Sequence, residues 1–219
     1  MARVLAIGNK AYSSWSLRPW LYLKVKGIDF DEVRIPLYVD GSKSRILAHS
    51  PAGKVPALRI DDLIVWDSLA ILETLAELYP HLKPWPTQPD DRALARSISA
   101  EMHAGFQTLR GTLFFNCRRR IVFRDIDEAL RSDIDRVCAI WRQCRSAHRG
   151  AGPFLFGDFT IADAMYAPVV SRFETYGIEV GVTEREYMDA ILGLPAMRAW
   201  IESAHQESEV IDRFERRAD

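Results

Sequence analysis

Hydrophobic positions change period along the chain, and each change marks an element. The apolar run RVLAIG (residues 3–8) has the pattern of a strand buried on both faces. From Ser16 onward Leu17, Trp20, Leu21, Leu23 and Val25 recur at helical spacing, and Gly27 closes the stretch. This predicts a helix with Ser16 as N-cap, Pro19 in its first turn and a glycine stop. In DEVRIPL, Val33, Ile35 and Leu37 alternate, which predicts a second strand; the long crossover between the two makes them parallel. Gly41 and Ser42 can open a short helix around Lys43–Leu47. PALRI and LIVW read as two brief strands around an Asp61-Asp62 turn. Leu69, Leu72, Leu75, Ala76 and Leu78 then predict a helix opened by Asp67 and Ser68 and stopped by Pro80.

Four prolines within PHLKPWPTQP (80–89) predict a stiff linker rather than a helix. Beyond it the pattern is helical, roughly over 90–112, 126–148, 160–173 and 195–206. The chain therefore reads as an α/β thioredoxin-like unit at 1–80, a proline-rich linker at 81–90, and an all-α unit at 91–219. An apolar fraction of 48% supports a substantial core. With 29 Lys+Arg against 30 Asp+Glu, neither a nucleic-acid partner nor an electrostatic membrane partner is expected. No stretch is apolar enough for a bilayer span or a secretory leader. Cys117, Cys138 and Cys144 are odd in number and widely spaced, so neither a disulfide framework nor a zinc site is expected, and the reducing cytoplasm is the expected location. The five histidines show no i, i+4 pair, and no metal is expected.

Three segments carry chemistry: SSWSLRPWLYLKVKGIDF (13–30), PAGKVPAL (51–58) and WDSLAILETLAELYP (66–80), followed by the helical half. In that order and spacing they resemble the cytosolic glutathione S-transferases over the whole chain. The resemblance implies a cis Val55-Pro56 bond, which costs little for an X-Pro pair. It implies too that the main chain of Val55 pairs with the cysteinyl unit of glutathione as an added strand would. The helix opened by Asp67 and Ser68 has free N–H groups and a positive dipole end suited to the γ-glutamyl carboxylate, with Asp67 meeting the adjacent ammonium. Asp67 is shorter than the Glu or Gln usual in relatives. N-capping by the same two residues is the competing role.

The enzyme so implied needs no reactive cysteine, because it borrows the thiol of glutathione. A thiol of pKa ~8.5 must ionise to attack, and a hydroxyl aimed at the sulfur stabilises the anion. Serine-type members of the family place that hydroxyl where Ser13 stands, with Ser14 a second donor and Tyr12 the rival. The run is similar to the zeta-class SSC-x-x-R signature, with Trp15 in place of its cysteine. His49 and Lys54 flank the proline loop within reach of the glycyl carboxylate. His103, Phe106, Gln107 and Arg110 are candidates for the acceptor pocket, Arg18 is expected to be salt-bridged at a surface or interface, and Arg118–Arg120 are expected to be solvated or partner-facing. Thr160-x-x-Asp163 reads as a capping box of structural importance. The expected function is transfer of glutathione to a small hydrophobic electrophile by a homodimer. A glutathione-dependent isomerase, peroxidase or dehalogenase, or a non-catalytic binding module, are the alternatives.

Overall fold

The computed structural model describes residues 1–215. Its N-terminal part is a four-stranded sheet of order β2-β1-β3-β4, formed by β1 (Arg3–Ile7), β2 (Asp31–Arg34), β3 (Ala57–Ile60) and β4 (Leu63–Trp66). β1 and β2 run parallel, while β3 is antiparallel to both β1 and β4. β1 is buried on both faces, as its unbroken apolar run predicts. Leu5 and Ile7 join the main core, and Ala6 packs with Ile35 and Ile46 on the opposite side. β2 is shorter than its alternation suggested; past Arg34 the ladder ends after Ile35 donates to Ile7 O at 2.8 Å.

α1 spans Ser14–Val25, three residues earlier than an N-cap at Ser16 predicts. Ser13, not Ser16, is its N-cap, and Pro19 lies in the second turn. Ser16 is instead fully buried and accepts from Gly8 N–H at 3.1 Å, tying the helix start to the end of β1. The predicted stop holds: Gly27 adopts φ +65°, and Ile28 N–H reaches back to Leu23 O at 2.9 Å. α2 (Ser42–Leu47) and α3 (Ser68–Leu78) complete the α/β part, and the Val55-Pro56 bond is cis. The proline-rich stretch 80–89 holds one 3₁₀ turn, Pro80–Leu82, opened by the first of its four prolines.

The remainder is helical: α4 (Pro89–Ala104), α5 (Gln107–Thr112), α6 (Glu128–Ala147), α7 (Ile161–Tyr176), α8 (Val182–Gly193) and α9 (Pro195–His205). The stretch expected as one helix over 90–112 is broken at Gly105-Phe106. Phe106 is buried with φ +57°, and the α5 amide of Leu109 donates to Asp133 Oδ2 at 2.9 Å. α8 was not anticipated; Tyr187, Met188 and Ile191 bury its inner face. α7 is buried along almost its whole length and packs directly on α1. The loop after β1 is gripped by the helical half. Glu207 accepts from Lys10 and Ala11 N–H at 2.7 and 3.0 Å, and Trp200 Nε1 donates to Lys10 O at 2.9 Å. That loop leads directly into Tyr12, Ser13 and Ser14.

Candidate active site

Two adjoining cavities meet at the start of α1, the larger reaching α5 and α7 and the smaller the start of α3. The larger, about 800 Å³, is lined by Tyr12, Ser13, Ser14, Arg110, Phe114 and Arg172, among others. The smaller, about 460 Å³, is lined by Ala52, Pro56, Trp66, Asp67 and Ser68. Trp15, Lys54 and Val55 border both. Of the site residues expected from sequence, Ser13, Ser14, Gln107 and Arg110 line the larger cavity, Pro56, Asp67 and Ser68 the smaller, and Lys54 and Val55 both; His103 and the core residue Phe106 line neither, and neither does His49. It borders a separate depression with Val4 and Arg59, because α2 carries it to the other side of the sheet.

The three hydroxyls differ in what they have left to give. Ser13 Oγ accepts from Ser16 N–H at 3.3 Å and lies 2.7 Å from Ser16 Oγ. Ser16 Oγ already accepts from Gly8, so its own proton is available for Ser13. Ser13 is thereby left with its hydrogen to donate into the cavity. Ser14 Oγ accepts from Arg172 Nη2 at 3.3 Å, which leaves its hydrogen available in the same way. Tyr12 is committed: its hydroxyl donates to Glu215 Oε1 at 2.6 Å and accepts from Arg118 Nη2. Burial and the Glu215 contact push its pKa up to about 12, making it a poorer donor to an anion.

At the smaller cavity Asp67 is the N-cap of α3 with φ +75°, and its carboxylate accepts from Leu69 and Ala70 N–H. Capping is thus realised, and Oδ2 is left 3.4 Å from His103 Nε2. Burial, with Arg18 and Arg110 adding to it against Asp67, lowers the His103 pKa and keeps its imidazole neutral at pH 7. Ser68 is buried, and its Oγ accepts from Arg18 Nη1 at 3.4 Å.

Arg110 lines the larger cavity as expected, and two further arginines supply what sequence reasoning did not foresee. Arg18 was expected at a salt-bridged surface; it is buried, stacks over Trp15 with Cζ 4.4 Å from the ring, and has no ion-pair partner among the described residues. Burial, then Arg110 and Arg172, pull its pKa down to about 9. Arg172 is also buried, donates to Leu113 O and to Ser14, and is lowered to about 9 chiefly by burial. Arg110 donates to His103 O and Gly105 O, the carbonyls freed where α4 ends, and its Cζ stands 4.8 Å from the Trp15 ring. All three remain cationic at neutral pH, and among the described residues none has a carboxylate at ion-pair distance, Asp67 acting on Arg18 only from farther off. Nothing in the spacing of Arg172 marked it out, because a lone arginine in an apolar helix reveals its direction only after packing. Arg118 is not solvated either. It is partly buried and holds Tyr12 and the carbonyls of Glu207 and Glu209.

The chain matches the family models for the glutathione S-transferase N-terminal domain at residues 12–78 and C-terminal domain at residues 122–203. It is 31% identical over 173 residues to the maleylacetoacetate isomerase of Rattus norvegicus, covering 77% of each chain. The chain belongs to the glutathione S-transferase family. A second similar protein is the probable maleylacetoacetate isomerase of Caenorhabditis elegans. It is 36% identical over 97 residues, 44% of this chain and 45% of the relative. The fold is shared with a glutathione transferase homolog from Burkholderia gl BGR1 crystallised with bound glutathione. That match has a TM-score of 0.71 at 23% identity and covers 95% of this chain and 100% of that one.

Cys117, Cys138 and Cys144 are buried, line neither cavity, and have pKa values raised mainly by burial to about 12, 11 and 12. Native protein treated with iodoacetamide at pH 7.5 is expected to gain no adduct by mass spectrometry within minutes, whereas denatured protein gains three. Rapid modification of any one would contradict the buried assignment.

Proposed function

We propose that the protein binds glutathione across the two cavities, ionises its thiol with the serine hydroxyls, and directs it at a small electrophile that carries a carboxylate. The tripeptide's γ-glutamyl end sits at Asp67 and Ser68, its cysteinyl main chain at Val55-Pro56, and Lys54 meets its glycyl end. The observation that carries this reading is the juxtaposition of Ser13 and Ser14 with Arg110 and Arg172 around one cavity, the guanidiniums having no ion-pair partner among the described residues. Buried cations without anions are costly, and a bound carboxylate relieves that cost. Leu37, Phe114 and Phe115 on the same wall suit the apolar body of such a molecule, and association as a homodimer belongs to the same reading.

Glutathione-dependent isomerisation is a second reading, favoured by the arginines and by the isomerase relatives. It shares the first step. The thiolate adds to an activated double bond, the S–C bond forming as the π pair moves onto the conjugated carbonyl. Bond rotation and expulsion of the thiolate would then return glutathione unchanged. Glutathione titrated into the protein in a calorimeter is expected to give saturable heat. Arg110→Met is expected to raise KM about 10- to 100-fold for an α,β-unsaturated carboxylic acid, the value of one hydrogen bond to a charged group. It is expected to leave a neutral aryl halide little affected. No binding heat, or equal losses for both acceptors, would refute the reading.

A further inference from the structure

Trp15 stands in the first turn of α1, where the Cα–Cβ bond tilts toward the helix N-terminus and so toward the serines. Its neighbours Ser13, Ser16 and Leu17 are buried, but Trp15 itself is only half-buried because it faces both cavities. Along that shared boundary the only other side chains among the described residues are Lys54 and Val55. The indole is also held on three sides. Arg18 and Arg110 lie over it at 4.4 and 4.8 Å, and the His103 ring meets it edge-on at 5.2 Å. Arg18 comes from the same helix, whereas Arg110 and His103 come from the helical half. Two cations that repel one another thus share one indole as their π-partner.

We propose that Trp15 is the specificity-determining residue of the acceptor cavity, an inference that rests on the glutathione reading above. Its indole forms the wall between the space for the tripeptide and the space for the acceptor. It restricts groups attached to the sulfur to compact ones, and it sets Arg110 at the edge of the acceptor space. A small residue at this position would leave the wall to Lys54 and Val55 alone and join the two cavities. The guanidiniums would not fill the gap, because Arg18 is tethered to Ser68 and Arg110 to the His103 and Gly105 carbonyls, and the two repel each other.

S-substituted glutathiones test this without any turnover, since they place a chosen group where the acceptor would sit. S-methyl- and S-hexylglutathione are titrated calorimetrically into wild type, Trp15→Phe and Trp15→Ala. Wild type is expected to favour the methyl compound. In Trp15→Ala the ratio of affinities should move at least tenfold toward the hexyl compound, with Trp15→Phe between; loss of interdomain packing alone would weaken both ligands alike. An unchanged ratio in both variants overturns the assignment of Trp15 while leaving glutathione binding in place. Absence of binding by either compound to folded wild type overturns the glutathione reading and this inference with it. Trp15→Phe keeps an aromatic ring against the two guanidiniums, so the test survives if Trp15→Ala does not fold.

Discussion

Ser13→Ala is expected to lower kcat/KM for glutathione transfer by about 10²- to 10³-fold, the loss typical of removing one donor to a charged oxygen or sulfur in a water-poor site. The direct readout is the thiolate absorbance of bound glutathione against pH. A hydroxyl donating to the sulfur stabilises the anion and lowers the thiol pKa; removing it returns the pKa toward the free value of ~8.5. Ser13 is also the N-cap of α1, so alanine additionally costs about 1 kcal/mol of helix stability. Ser13→Asn separates the two roles, because asparagine caps well but offers no hydroxyl. It should recover the melting temperature without recovering the low thiol pKa. Tyr12→Phe should leave the titration unmoved, since that hydroxyl already donates to Glu215. An unaltered thiol titration in Ser13→Ala, with a shift in Tyr12→Phe, would transfer the role to the tyrosine.

Asp163→Ala is expected to destabilise the fold by about 3–5 kcal/mol. The carboxylate is wholly buried and accepts from Leu155 N–H at 3.0 Å, Thr160 N–H at 2.8 Å and Thr160 Oγ1 at 3.1 Å. Alanine leaves those donors buried without an acceptor, each at about 1–3 kcal/mol with some relaxation. For a chain of this size, a melting temperature lower by about 10 °C or more follows. The effect is on folding rather than chemistry: α7, which Asp163 caps, is the buried helix that carries Arg172 and supports α1. Protein that remains folded at low temperature should still bind glutathione. A wild-type melting temperature in Asp163→Ala would show that the box is dispensable.

The order of elements from β1 through α3 was legible in the amino-acid pattern because it rests on local periodicity, whereas α8 and the division of α4 from α5 were not. The apolar run of β1, the 3.6-residue spacing of α1 and α3, the Asp61-Asp62 turn and the proline cluster each act within a few residues. Capping residues such as Asp67 and Thr160 announce themselves the same way. The main candidate positions, Ser13, Ser14, Val55, Pro56, Asp67 and Ser68, were legible for the same reason: each sits at an element boundary. Local pattern was less able to fix where α1 begins. Ser13 and Ser16 are both good caps, and the choice was made by Gly8, whose N–H takes the Ser16 hydroxyl once β1 and α1 are packed. It was equally blind to the break at Phe106, whose ring enters the core at the expense of helix continuity.

By itself, then, the sequence determined an α/β unit followed by helices and a hydroxyl-bearing turn suited to a thiolate. Only the tertiary structure decided what surrounds that turn. Arg18, Arg110 and Arg172 come from three separate helices, and no spacing along one chain segment encodes their meeting around Trp15 and Ser14. Burial then strips Arg18 and Arg172 of solvent, and among the described residues none of the three has an ion-pair partner. An electrostatic environment of that kind is a property of distances between helices, and it exists only once α1, α5 and α7 have come together.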